Sequence, residues 1–222
     1  MALQVMMLDI WGVLSAIAIA ALIYALGGPL YPEYLTLMLS FLVCGTVVTM
    51  FGKEKKERIG MYEYGRSWQN VAANGVIPVL ALILGMPYAF VGAIAATTSD
   101  KFSSEIGSLG GEPVFLGNFK KVKRGTSGAV TALGTLAGLL GAATIAASAY
   151  LLFPAAGTHA SGIEFGLGRA LLFSFIGLAG SLADSVAGIW ETNGLGDKAT
   201  SNVAGALAGA VLGQLLFGFV SS

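Results

Sequence analysis

The chain has 222 residues, 55% of them hydrophobic and 11% charged, where a soluble domain carries roughly 25% charged residues. Twelve basic and twelve acidic residues give a formal net charge of zero, and mean hydropathy is +0.79. These values exclude a soluble domain and a basic nucleic-acid-binding surface, and they predict an all-α polytopic bundle, 1–222 forming a single integral membrane domain in the lipid bilayer.

Apolar spans are predicted at 10–26 and 30–51, joined by a tight turn at Gly27-Gly28-Pro29. The N-terminus lacks the basic flank of a signal peptide, so 10–26 is expected to be a retained first span. Cys44 is the single cysteine and falls inside the second apolar run, where it serves as a small packing residue. A basic loop follows, with Lys53, Lys55, Lys56, Arg58 and Arg66, and it ends at Trp68-Gln69-Asn70. The stretch 71–99 reads either as one long span or as two short ones broken at Gly85-Met86-Pro87, where proline removes an amide donor.

Charge bias favours the break. With two short segments and further spans at 125–153, 164–190 and 199–220, every Lys and Arg except Arg169 falls on one side, eleven of the twelve. Seven segments with the N-terminus cytoplasmic are therefore expected, against six if 71–99 crosses once. In that topology the polar residues Asn74, Thr97 to Glu105, Lys120 to Thr126, Asp184-Ser185, Asn193 and Asp197 to Asn202 all reach the cytoplasmic face. The opposite side holds the lone His159, which reads as a surface residue. Small residues recur at four-residue spacing in Gly134-xxx-Gly138 and Gly205-xxx-Gly209-xxx-Gly213, which suits close helix packing within one protomer or across a homodimer.

Two carboxylates stand deep in apolar sequence, Asp100 and Asp184, with Glu105 five residues beyond the first. A charge at such depth costs roughly 2.5–3.5 kcal/mol at a span's centre, so each needs a cation or a function. Paired acids beside basic loops suit magnesium holding phosphate oxygens. Lys120, Lys123 and Arg124 add charge for phosphate, and Gly125-Thr126-Ser127-Gly128 forms a turn whose free amides favour anions, although it is not a Walker A loop. The rival reading of the same acids is a cation or proton path, which requires polar groups through the whole membrane depth.

The motifs Asp100-Lys-Phe-Ser-Ser-Glu-Ile-Gly107, Arg124-Gly-Thr-Ser-Gly-Ala-Val-Thr131 with Gly134-Thr135-Leu-Ala-Gly138, Gly180-Ser-Leu-Ala-Asp-Ser-Val-Ala-Gly188, and Asp197-Lys-Ala-Thr-Ser-Asn-Val203 resemble the transmembrane protein 19 family over about residues 60–220. That family includes the plant and cyanobacterial phytyl-phosphate kinase, and it is distantly similar to dolichol kinases and CDP-diacylglycerol synthases. The resemblance implies phosphoryl transfer from a nucleoside triphosphate, CTP foremost, to a polyprenyl monophosphate of the phytyl or geranylgeranyl type, with Mg2+. A lipid cytidylyltransferase is the neighbouring alternative. By position, Asp100, Glu105 and Asp184 would be the catalytic and metal-holding acids, and Asn202 the polar residue of the last motif. Asn74, Ser104, Lys120, Lys123, Arg124, Gly125, Thr126, Ser185, Asn193 and Asp197 would complete the substrate contacts. The prenyl chain is expected in grooves between the glycine-rich helices. Lys101, Phe102 and Ser127 depart from the family pattern, which bears on nucleotide and acceptor preference.

Overall fold

The structure is a computed structural model, and it describes residues 6–65, 67–153 and 163–218. Arg66 and His159 lie outside the described residues. Helix α1 (Ile10–Leu26) starts at Asp9, whose Oδ1 accepts from the Gly12 amide at 2.7 Å. A single 3-10 turn at Gly28–Leu30 leads into α2 (Tyr31–Met50), and the basic loop contains a short helix α3 (Lys53–Arg58). Then come α4 (Trp68–Ile83) and α5 (Pro87–Gly107). A two-residue antiparallel ladder follows, β1 (Val114–Phe115) against β2 (Ala129–Val130), before α6 (Ala132–Leu152), α7 (Leu167–Thr192) and α8 (Lys198–Phe217).

The stretch 71–99 is two helices. Gly85 ends α4 at φ +65°, a left-handed position that glycine takes without steric cost. The Met86 amide reaches back to the Ala81 carbonyl at 2.8 Å, closing the C-terminal motif, and Pro87 opens α5 where its missing amide costs nothing. The expected span 125–153 begins later, at Ala132, because 114–130 folds into the ladder. Among the described residues, four helical segments are long and apolar enough to cross a membrane: Gly28–Met50, α6, α7 and α8. Helices α1 and α4 are apolar but shorter, and Trp11, Leu14, Ile17 and Leu22 of α1 are exposed, as lipid-facing residues should be.

Helix α5 is the axis of the bundle. From Tyr88 to Ser99 every residue is buried, on all sides of the helix, beneath α2, α4, α6, α7 and α8. The glycine rows make this enclosure fit. Gly92 of α5 lies backbone to backbone against Gly209 of α8, Gly138 of α6 meets Ser99 and Ser103, and Gly213 of α8 meets the Tyr88 carbonyl. These rows therefore pack inside one chain and are not free to form a homodimer seam. One end of the bundle is closed by aromatic packing among Tyr34, Phe90, Phe153, Phe165, Phe173 and Phe217. The other end gathers the polar loops.

The α5–α8 contact is testable. Gly92→Ala inserts a methyl group against the Gly209 backbone, which can yield only if the helices part. We expect it to lower the melting temperature of the detergent-solubilised protein by several degrees. Gly168→Ala, at a helical position with open space around it, should leave the temperature unchanged or raise it, since alanine is favoured over glycine in helices by about 1 kcal/mol.

Candidate functional site

Helices α5 and α7 run toward the same end of the bundle, and Asp100 and Asp184 each stand about two turns before their helix's last residue. That places the two acids side by side at matching depth. The Asp184 side chain is 4% exposed and that of Asp100 18%. Lys198, the first residue of α8, joins them: its Nζ lies 2.7 Å from Asp184 Oδ1 and 3.5 Å from Asp100 Oδ2. Two carboxylates in so apolar a setting repel, and one ammonium offsets only part of their charge.

The acids form the wall between two cavities. On one side is a cavity of about 370 Å³, bounded by Asp100, Ser103, Ser181, Asp184 and Lys198 and, opposite, by the loop from Arg124 to Val130. On the other is a small crevice of about 10 Å³, lined by Asn74, Thr97, Asp100, Asp184 and Asn202 together with Ala96, Gly205 and Ala206. Asp184 Oδ2 and Asn202 Oδ1 are buried here without a hydrogen-bond partner. Pro78 lies inside α4 and has no amide hydrogen, so the Asn74 carbonyl also loses its intrahelical partner.

The loop is docked by its own chemistry. Ser127 Oγ donates to Glu191 Oε2 at 2.6 Å, and Thr192 Oγ1 donates to the Ser127 carbonyl at 2.9 Å. Gly128, at φ +79°, turns the chain beneath α7, where Gly188 leaves room for its amide. Arg124 donates to the carbonyls of Ser108 (3.0 Å) and Gly111 (2.6 Å), beyond the C-terminus of α5. Its guanidinium thus anchors the loop as well as lining the cavity.

Of the residues singled out in the sequence, Asp100, Ser104, Arg124, Gly125, Thr126, Asp184 and Ser185 meet at the larger cavity, and Asn74 and Asn202 at the crevice. Others lie elsewhere. Lys120 and Lys123 are exposed and line neither cavity. Asn193 caps α7, its Nδ2 donating to the Ile189 carbonyl at 2.9 Å. Asp197 caps α8; the backbone amide and hydroxyl of Thr200 hold its carboxyl below the usual carboxylate range.

Glu105 does not join the acid pair. Five residues at 100° per residue turn it about 140° away from Asp100 around the helix. There its Oε2 pairs with Lys56 Nζ at 2.7 Å, and its Oε1 accepts from Thr49 Oγ1 at 2.8 Å and pairs with Lys101 Nζ at 2.6 Å. Lys56 is itself fully buried and donates further to the Thr49 carbonyl at 2.6 Å. This is a closed ion-pair cluster tying α2, α3 and α5 together, with its charges compensated. Among the described residues no three His, Cys, Asp or Glu side chains gather as a metal-binding set, so Asp100 and Asp184 stand without the third acid that the sequence reading expected. A magnesium-type cation takes oxygen ligands, and the unpartnered Asp184 Oδ2 and Asn202 Oδ1 beside Asp100 fit that requirement. Lys198 is the residue that the sequence reading missed. It lies within the Asp197–Val203 motif, four residues before Asn202, and only the reach of its flexible stem reveals its role.

Residues 1–205 match the family described as Integral membrane protein DUF92. An uncharacterized membrane protein of Methanocaldococcus jannaschii is 41% identical over 193 residues, covering 83% of this chain and 76% of its own. Protein PGR of Arabidopsis thaliana is 30% identical over 70% of this chain and 63% of its own length. An uncharacterized membrane protein of Synechocystis is 31% identical over 63% of this chain and 58% of its own. The chain therefore spans about three-fifths of each of the latter two relatives. No solved structure matches this chain.

The two kinds of buried acid should separate experimentally. Removing one member of a buried ion pair costs about 3–5 kcal/mol. Glu105→Gln, which strands Lys56, should therefore sharply lower thermal stability and folded yield in detergent. Asp184→Asn should leave both near wild type, because Lys198 is 49% exposed and keeps access to Asp100 and water.

Proposed function

The chain belongs to the DUF92 family of integral membrane proteins, and from that premise we propose that it is a membrane phosphotransferase that makes a polyprenyl diphosphate from a polyprenyl monophosphate. The nucleoside triphosphate, CTP foremost, occupies the larger cavity. The carrying observation is the acid pair shared as a wall by two cavities, one large and loop-lined, the other a narrow crevice. Acids so placed can meet a nucleotide in the larger cavity and an acceptor phosphate brought up from the α4 side, whereas the crevice itself has room for no more than an ion or a water.

In the proposed step an oxygen of the acceptor monophosphate attacks the γ-phosphorus of the nucleotide. The bond from that phosphorus to the β,γ-bridging oxygen breaks, and the nucleoside diphosphate leaves. The acceptor is already ionised, so no strong base is needed, and positioning with charge neutralisation carries the rate. Lys198 is placed to neutralise the transferred group and to yield one carboxylate as it does so. The Gly125–Gly128 loop offers amides to the donor phosphates, with Arg124 holding its shape. Magnesium, when bound by Asp100, Asp184 and Asn202, supplies further neutralisation of phosphate charge. The site faces the cytoplasm, as the concentration of Lys and Arg at this end of the chain supports.

The transport reading lacks support at the opposite end, where Phe90, Phe153, Phe165 and Phe173 fill the interior and are fully buried. A path for an ion would need free polar groups through that core, whereas the polar side chains at that end pair within the protein, Gln214 Oε1 accepting from the Ala89 amide and Arg169 donating to the Glu164 carbonyl.

The test is direct. Purified protein with CTP or ATP, magnesium and a panel of prenyl alcohols and monophosphates should release nucleoside diphosphate and form prenyl diphosphate, and chelation should stop it. Release of inorganic diphosphate with a CMP-linked lipid would instead identify a cytidylyltransferase. Asp100→Asn and Asp184→Asn should each lower kcat by at least about a hundredfold, and the double variant should lose little more, because groups serving one centre are not additive. Near-normal turnover in both single variants would remove the acid pair from the reaction.

A further inference from the structure

A third cavity, of about 290 Å³, lies between α1, α2 and α4. Its walls are apolar, formed chiefly by Ala16, Ile19 and Ala20 of α1, Leu35 and Met38 of α2, and Gly75 of α4. Only Asn70 and Asn74 are polar among its lining residues, and both belong to the first two turns of α4, at the polar end of the bundle. Asn74 lines the crevice at the acid pair as well, so one side chain borders both spaces. From Leu42 to Leu35 the groove follows α2 for seven residues, about 10 Å at 1.5 Å per residue. Exposed Leu39 stands on its rim, so the groove is reached from the lipid-facing side of the bundle.

The groove is kept open by small residues. Ala16 and Ala20, one turn apart, present only methyl groups to it. Gly75 lets the tip of Ile19 lie against the α4 backbone, in the space a methyl group would otherwise take. The Asn74 side chain is oriented by its Nδ2, which donates to the Asn70 carbonyl at 2.8 Å.

We propose that this groove between α1, α2 and α4 is the acceptor subsite, and that it holds the chain of a single-chain lipid phosphate whose head lies at Asn74, beside the acid pair. The proposal rests on the phosphotransferase reading and deepens it by naming where the lipid lies. It also gives the acid pair its two sides: the nucleotide approaches from the loop of Arg124 to Val130, and the lipid from α4. The prenyl chain is thereby assigned to the loosely packed helices, and the glycine-rich rows of α6, α7 and α8 are left to packing.

The probe is geranylgeranyl monophosphate carrying a diazirine on its terminal isoprene unit, irradiated with the wild-type protein in liposomes and mapped by peptide mass spectrometry. Labelling should fall on 16–20 and 35–42, and excess unlabelled geranylgeranyl monophosphate should abolish it. Ala20→Trp, which fills the groove, should remove the label and raise KM for the lipid by about tenfold, as steric exclusion from an apolar pocket does, with KM for CTP unchanged. Ala16→Phe is the second variant, and a melting temperature near wild type qualifies either one. Label on α6 to α8, label that excess monophosphate does not displace, as from a crevice filled by bulk bilayer lipid, or an unaltered lipid KM in a folded variant would overturn the proposal. Labelling requires no turnover, so competed label in the groove without phosphotransfer rejects the reaction and keeps the subsite. Phosphotransfer with no label in the groove does the reverse.

Discussion

Burying carboxylates at one end of an apolar bundle is the constraint that the rest of the structure answers. Helix α5 carries two of them, and they are handled in opposite ways. Glu105 is surrounded by Lys56, Lys101 and the Thr49 hydroxyl, so both its oxygens are engaged and the group is a fixed strut between α2, α3 and α5. Asp100 shares the single ammonium of Lys198 with Asp184, leaving one carboxylate oxygen and one amide oxygen beside them unpaired. A compensated cluster stabilises a fold, whereas an under-compensated one leaves room for a ligand's charge. Sequence depth alone does not separate the two cases, because the partners come from other helices.

What periodicity and composition determine was legible from the residues. The turn at Gly85-Met86-Pro87 is specified by local backbone chemistry, and the Gly-xxx-Gly rows do bring helices close. The pairing of Asp100 with Asp184 followed from equal depth on helices expected to run toward one face. What failed depends on azimuth and reach. Grouping Glu105 with Asp100 ignored the 140° between them, which is invisible when a motif is read as a string. Lys198 was passed over inside the last motif, because its long stem places its charge far from its backbone. Residues 125–130, which include the second strand of the ladder, were absorbed into a span because Ala129 and Val130 are apolar yet pair as a strand.

The bundle divides by packing quality. Around α5 the helices α6, α7 and α8 meet at glycine and alanine, so backbones approach and little can move without several contacts opening together. That is where the acid pair and its loop are held, and the phosphoryl transfer proposed for them would need such fixed geometry. Helix α1, by contrast, touches chiefly α2 and α4, and a cavity remains among the three. Helix α4 belongs to both regions, since it packs on α5 and α8 with one face and on α1 with another.

Pro78 stands at this junction. A proline within a helix removes one hydrogen bond and weakens the turn before it, and here that turn holds Asn74. The first half of α4 is therefore less tightly braced than the second. It is also the half that carries the only polar residues lining the apolar groove. On the proposed reading, the proline that costs α4 one hydrogen bond stands where the helix would combine two demands, an apolar surface for a lipid chain and polar groups for the charged head of the same molecule. A continuous apolar helix would meet the first demand alone. An α4 that carries Asn70 and Asn74 at its polar end, beside the acid pair, would meet both.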